Sequence, residues 1–389
     1  RMSHYGVETS LVLVKWISML KSSKRKCKME DKRNTIDVNE QVSKCESLVE
    51  LQEILSKNSN YYKDWKQYIN RLVERKHMNY VQLSKACHCS RNTVKKWCRE
   101  GAMPQNRETF LKIGLGLRLN LEEFNELLLR YGRYPRLYGK NMEDAVCLFV
   151  IRHYPSEGDA YEVYLQLKEH LLKRMREYGK GDARPLDTME IEERLMAQES
   201  TEEFEQFICE NAGSYEESYH KLAEFIQLFI KAKEENVHRF VQTNSLSFSY
   251  EKMMSALRQR GECPNRIKLI LLGVNLNMSM EQINYMLSLA YMKPMCAKDN
   301  LECIIMYAVE NAYLMNPAYS VESAIILQHY KQNPVLQKKC RDILAQYWEA
   351  GLYAEERETL RYLEESIGDY LKNILQELDW EEQEIFRYL

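Results

Sequence analysis

Glycine and proline are scarce in this chain, and their scarcity limits the available folds more than any other feature. There are 14 glycines and 8 prolines among 389 residues, about half of the roughly 12% share that these two residues usually take. Sandwiches, barrels and propellers of β-strands need many tight turns, and tight turns draw on glycine and proline. The count therefore argues against those folds, and against an ordinary enzyme that cradles phosphate in a glycine-rich loop. Hydrophobic residues make up 45% and charged residues 29%, enough to fill a core and to solvate the faces around it. We expect an all-α protein of two or three domains.

The net charge of −2 conceals a strong asymmetry. Residues 61–140 hold 17 Lys/Arg against 7 Asp/Glu, whereas 187–235 hold 4 against 14 and 349–389 hold 4 against 12. The first segment suits a phosphate-bearing partner and the other two repel one. The eleven cysteines are odd in number and follow no framework spacing, which points to reduced thiols in the cytoplasm. No run of 18 apolar residues occurs, so no membrane span is expected. The apolar stretch 10–20 contains Lys15 and precedes the basic run 21–28, the reverse of a secretory signal. The chain opens on Arg1, and Met29 is the expected start, so residues 1–28 are given no functional weight.

Five segments are expected. Residues 1–59 form a partly disordered extension with a short helix at 46–57. Residues 60–150 form a helix-turn-helix module and 151–222 an acidic helical region. Residues 223–310 are a degenerate second copy of the module, and 311–389 are an acidic C-terminal helical region. A linker-like break falls at 178–185 (YGKGDARP). The second copy rests on an ungapped match at an offset of 159, which lays 106–150 on 265–309 with eleven identities. They include Asn106/Asn265, Arg107/Arg266, Gly114/Gly273, Pro135/Pro294, Asn141/Asn300 and Glu143/Glu302. Gly114 and Gly273 share a face with Ile113, Leu117 and Leu272, Leu276, where a missing side chain lets a neighbouring helix approach. Asn141 and Asn300 are each placed to cap the following helix.

Residues 68–117 carry the chemistry. Helices are expected near 64–77, from 79, at 90–99 and from 107, with a turn at His88–Cys89 and a break at Gly101–Pro104. Ser90 is a cap whose hydroxyl accepts from the Thr93 amide. With Val94 turned inward, Trp97 and Cys98 fall on the same side, and Asn92, Lys95, Lys96 and Arg99 on the other. Lysine and arginine neutralise phosphates or donate to guanine, and asparagine pairs with adenine. Arg91 and Thr93 flank the helix start. In the second copy Ser249, Met253 and Arg258 fall on Ser90, Val94 and Arg99, and Glu251, Met254 and Ser255 replace Asn92, Lys95 and Lys96. The second copy is therefore expected not to grip DNA.

Leu83-Ser84, the run Cys89-Ser90-Arg91-Asn92-Thr93-Val94, Trp97, and Pro104 with the helix after it resemble the Cro/C1-type (XRE-like) helix-turn-helix regulators. The likeness covers about 60–130. It implies a compact five-helix domain that binds operator DNA, usually as a dimer. The family commonly has glycine in the turn where this chain has His88, so a non-glycine residue must take positive φ there.

The expected DNA-binding residues are thus Ser90, Arg91, Asn92, Thr93, Lys95, Lys96 and Arg99. The expected partners are double-stranded DNA, a second copy of the chain in a homodimer, and a peptide or protein ligand at the C-terminal helices. Cys87-His88-Cys89 with Cys98 has no regular zinc spacing and reads as core packing. The glutamates of 190–217 read as a solvated face, and the 26 tyrosines mostly as helix packing. No P-loop, GxGxxG, HExxH or Ser/His/Asp order occurs, so no enzyme, cofactor or metal is expected. The alternative is a non-enzymatic helical adaptor, of the phage-defence or toxin-associated kind, that uses the same modules to hold a protein.

Overall fold

The computed structural model describes residues 29–389 apart from 59, 156–157, 179–185, 187, 217–218, 234–235, 260, 317, 329, 331, 350–365 and 382–384. The proposed linker at 178–185 lies outside the described residues except for Tyr178, which ends a helix. Among the described residues the chain is all-helical, with no strand. No helix among them is long and apolar enough to cross a membrane.

In chain order the helices begin with α1 (Met29–Ser43), α2 (Leu48–Lys57), α3 (Asn60–Arg75) and α4 (Tyr80–Ala86). Next come α5 (Arg91–Lys95), which continues as a π-helical turn Lys96–Glu100, α6 (Arg107–Gly116), and α7 (Leu121–Glu126), which continues as a π-helical turn Leu127–Gly132. Then follow α8 (Met142–His153), α9 (Ala160–Tyr178), α10 (Thr188–Met196), α11 (Thr201–Glu210), α12 (Ala212–Glu216) and α13 (His220–Lys233). The remainder are α14 (Val237–Thr243), α15 (Ser249–Gln259), α16 (Arg266–Asn275), α17 (Met280–Leu289), α18 (Asn300–Met315), α19 (Ala318–Leu327), α20 (Pro334–Glu349) and α21 (Ile367–Glu377).

Two stretches repeat one another bond for bond, but at an offset that drifts. Asn79 and Asn236 cap α4 and α14, and nine residues on His88 (φ 47°) and Ser245 (φ 54°) take the left-handed turn. Gly101 and Gly261 end α5 and α15 at positive φ, with Ala102 N–H on Lys96 O and Glu262 N–H on Ala256 O. The span from the left-handed residue to the closing glycine is therefore three residues longer in the later stretch, 16 against 13. Asn106 and Asn265 then cap α6 and α16, and Asn120 and Ser279 close capping boxes on α7 and α17. Past α7 the offset falls to 158, because the π-helical turn at Leu127–Gly132 holds one residue more than the plain end of α17.

This drift corrects the ungapped match. Asn300 does not cap α18; Asp299 does, in the place that Asn141 takes on α8. The partner of Glu302 is Asp144, not Glu143. Leu137 N–H donates to Asn125 and Tyr138 N–H to Asp144, while Met295 N–H donates to Asn284 and Cys296 N–H to Glu302. Met254, expected on the outward face of the later stretch, is buried. A register read without gaps cannot follow a turn that takes up an extra residue.

The stretches are joined by buried polar contacts. Arg133 Nη1 lies 2.7 Å from Glu302 Oε2, Asn141 Nδ2 donates to Gly261 O at 2.7 Å, and the Arg266 amide donates to the Tyr134 hydroxyl at 3.3 Å. The segment before α3 holds two helices where one was expected, and both pack on α18. Asn58 donates to Ala297 O at 2.6 Å, and Asn39 accepts from the Ala297 amide at 2.8 Å. The acidic region is not wholly a solvated face: Glu205 is buried, paired with His170 (2.6 Å) and Arg174 (2.7 Å).

Candidate nucleic-acid interface

The face proposed to meet DNA is built on α4 and α5. A capping box starts α4, with Asn79 accepting from the amides of Val81 and Gln82 and Gln82 accepting from the Asn79 amide. Leu83 and Cys87 enter the core. The left-handed His88 reverses the chain, and the Cys89 amide closes the turn on Ser84 O at 3.0 Å. Ser90 (φ −70°, ψ 151°) then caps α5, its hydroxyl accepting from the Thr93 amide at 3.0 Å and lying 2.9 Å from the Thr93 hydroxyl. The Ser90 hydroxyl thus satisfies an otherwise unpaired amide at the helix start.

Burial divides α5 along its length. Val94, Trp97 and Cys98 are buried, whereas Arg91, Asn92, Lys95, Lys96 and Arg99 are exposed and Thr93 is half-buried. Among the described residues, no carboxylate pairs with Arg91, Lys95 or Lys96. Three cations therefore share one short surface with the exposed amide of Asn92. Arg99 is placed differently: its guanidinium lies 5.6 Å from the Tyr80 ring centroid. That contact ties the end of the helix to the start of α4. The helix is anchored from behind by Trp65 Nε1 on Ala102 O (3.0 Å) and Asn70 Nδ2 on Cys98 O (2.8 Å).

The sequence reading did not find Tyr80, Asn70 or Asp159. His88 Nε2 lies 2.7 Å from Asp159 and its ring centroid is 5.1 Å from that of Tyr161, while Arg118 donates to Gly158 O. The turn before α5 is thus tied to the start of α9 by residues some seventy positions away, which no local pattern could reveal.

Cys87 and Cys98 lie in the core, and burial pushes both thiols up, Cys98 to about 11. Neither is a thiolate near neutrality. The ten described cysteines are free thiols, and no group of three or more metal-ligating side chains occurs among the described residues. On the later stretch, α15 exposes Lys252 and Arg258, but Glu251 pairs with His238 at 3.0 Å and Lys252 sits 5.4 Å from the Phe248 ring centroid. Comparison with protein-family models, with curated proteins and with solved structures finds no match.

Proposed function

We propose that the chain is a non-enzymatic, sequence-specific DNA-binding regulator of the cytoplasm. α4 and α5 act as a helix-turn-helix with α5 in the major groove, and the helices beyond α8 serve dimerisation or the sensing of a peptide or protein signal. One observation carries the reading. Arg91, Lys95 and Lys96 stand exposed with Asn92, unneutralised by any described carboxylate, on a helix whose other face is locked into the core. Cations without partners keep their full attraction for phosphate, and an exposed asparagine on a groove-sized helix can pair with an adenine edge.

Gel-shift titrations of the full chain on duplex fragments test it, starting with the DNA upstream of its own gene and at two salt concentrations. Lys96→Ala weakens binding to all sequences and lowers the salt slope by about one; Asn92→Ala costs about 1–3 kcal/mol on the preferred sequence. A double variant that binds as well as the parent would show that α5 is not the recognition helix. A chain that binds no duplex even at low salt would turn the reading to the protein-holding adaptor.

A further inference from the structure

α3 presents two different faces. Trp65 and Asn70 hold the end of α5, while Tyr68, Arg71, Leu72 and Arg75, three and four residues apart, form one wall of a cleft. Glu126 and Arg130 at the end of α7 form the other wall, and the cleft has a volume of about 370 Å³. That volume lies within the range of roughly 300–1,000 Å³ common for small-ligand sites.

Its three guanidinium groups are positioned before any ligand arrives. Arg75 lies 2.7 Å from Glu123. Arg130 stands 3.6 Å from Glu126 and 3.9 Å from Asp64, over the Tyr131 ring at 5.4 Å. Arg71 donates through Nε to Gln67 O at 3.3 Å and pairs with no carboxylate among the described residues. Tyr131, only 3% exposed, backs the cleft, its ring 4.4 Å from that of Tyr68 and under the Arg130 guanidinium.

We propose that this cleft binds a phosphoryl group. Guanidinium forks match phosphate oxygens in pairs; Arg71 offers its fork with no carboxylate beside it among the described residues, and a phosphoryl group would compete with Glu123, Glu126 and Asp64 for Arg75 and Arg130. The apolar surface of Tyr68 and Leu72 favours a phosphate ester over the bare ion. Two sources present that chemistry: a free phosphate monoester and the phosphate backbone of the duplex. Only the second rests on the DNA reading.

Calorimetric titration of the full chain at constant ionic strength decides it, with adenosine 5′-monophosphate and inorganic phosphate as probes and adenosine as the control. One molecule of the monophosphate binds per chain, inorganic phosphate binds more weakly, and adenosine does not bind. Arg71→Ala and Arg130→Ala weaken the monophosphate by roughly tenfold or more. If Arg71→Ala also weakens duplex binding and the monophosphate competes with duplex, the backbone is the source; if duplex binding is unchanged, a free monoester is. No heat from either phosphate probe at millimolar concentration, or binding indifferent to both arginine substitutions, would overturn the proposal. Circular dichroism melts of each variant separate lost binding from lost folding.

Discussion

Asp144 and Glu302 hold the same position in the two stretches, yet their surroundings drive them in opposite directions. Both are fully buried, and burial alone raises a carboxyl. Asp144 has one arginine, Arg107 at 2.6 Å, and remains at about 6. Glu302 has Arg133 and Arg266 together, and they outweigh burial and hold it at about 2. The arginines differ as well: Nε and Nη1 of Arg107 are buried without partners, whereas Arg266 also donates to Lys293 O and Pro294 O. The pH dependences follow with opposite signs. The Asp144 carboxyl takes up its proton in the folded state first, so acidification from pH 6 to 4 stabilises the protein through this group. The unfolded chain protonates Glu302 first, so its contribution is full above about 4.5 and fades as pH falls toward 2. Glu302→Gln should cost about 3–5 kcal/mol at pH 7, since it breaks a buried network, and Asp144→Asn should cost less. In denaturant titrations, the Asp144→Asn penalty should grow between pH 6 and 4 and the Glu302→Gln penalty should shrink below 4.5. Parallel profiles would contradict this assignment of the two pairs.

At the scale of the element, Gly114 and Gly273 show where close approach rather than turn geometry demands glycine. A Cβ on Gly114 would stand 2.3 Å from the Phe124 ring, and one on Gly273 would meet Ile283 Cγ1 at 2.9 Å and Met286 Cε at 3.0 Å. Phe124 is a rigid ring, whereas the Met286 methyl is the end of a flexible chain; all three side chains are fully buried. Gly114→Ala should therefore lose about 1–3 kcal/mol to overpacking. Gly273→Ala should lose less, because the gain in helix propensity of about 1 kcal/mol partly offsets a smaller clash; thermal melts of the two variants check the contrast. These glycines were legible in the sequence because each sits inside a helix, where spacing is regular. So was the inward and outward division of α5, and so was the Ser90 cap. The turns were not legible in the same way. The one-residue excess in the π-helical turn after α7 made Asn300 look like a cap and hid the kinship of Asp144 with Glu302. The three extra residues between Ser245 and Gly261 shifted the register there and put Met254 on the wrong face. Spacing reports position along a helix, but the backbone bonds that end a helix leave little trace in it.

Across the whole molecule, the two stretches share an architecture but not a surface. The first lies in a segment of 17 Lys/Arg against 7 Asp/Glu, and its outward helix carries cations with no described carboxylate partner. The second carries Glu251 with His238 and a lysine resting on Phe248, and it takes α1 and α2 onto α18 through the contacts of Asn39 and Asn58 near Ala297. Arg133 and Glu302 fasten the two together through the buried interior. If the proposed function holds, the later stretch acts as scaffold, and base readout resides in α5, with the arginine cleft beside α3 adding at most a backbone contact. Reversing charge there, with Lys95→Glu and Lys96→Glu in the full chain, should remove binding at physiological salt without changing the melt, because both side chains are exposed and unpaired among the described residues. The parent should lose affinity steeply with added salt, with a slope of about −0.9 per phosphate contacted. Residual binding by the double reversal, with an unchanged salt slope, would place the DNA contact elsewhere on the chain and leave α5 as an internal packing helix.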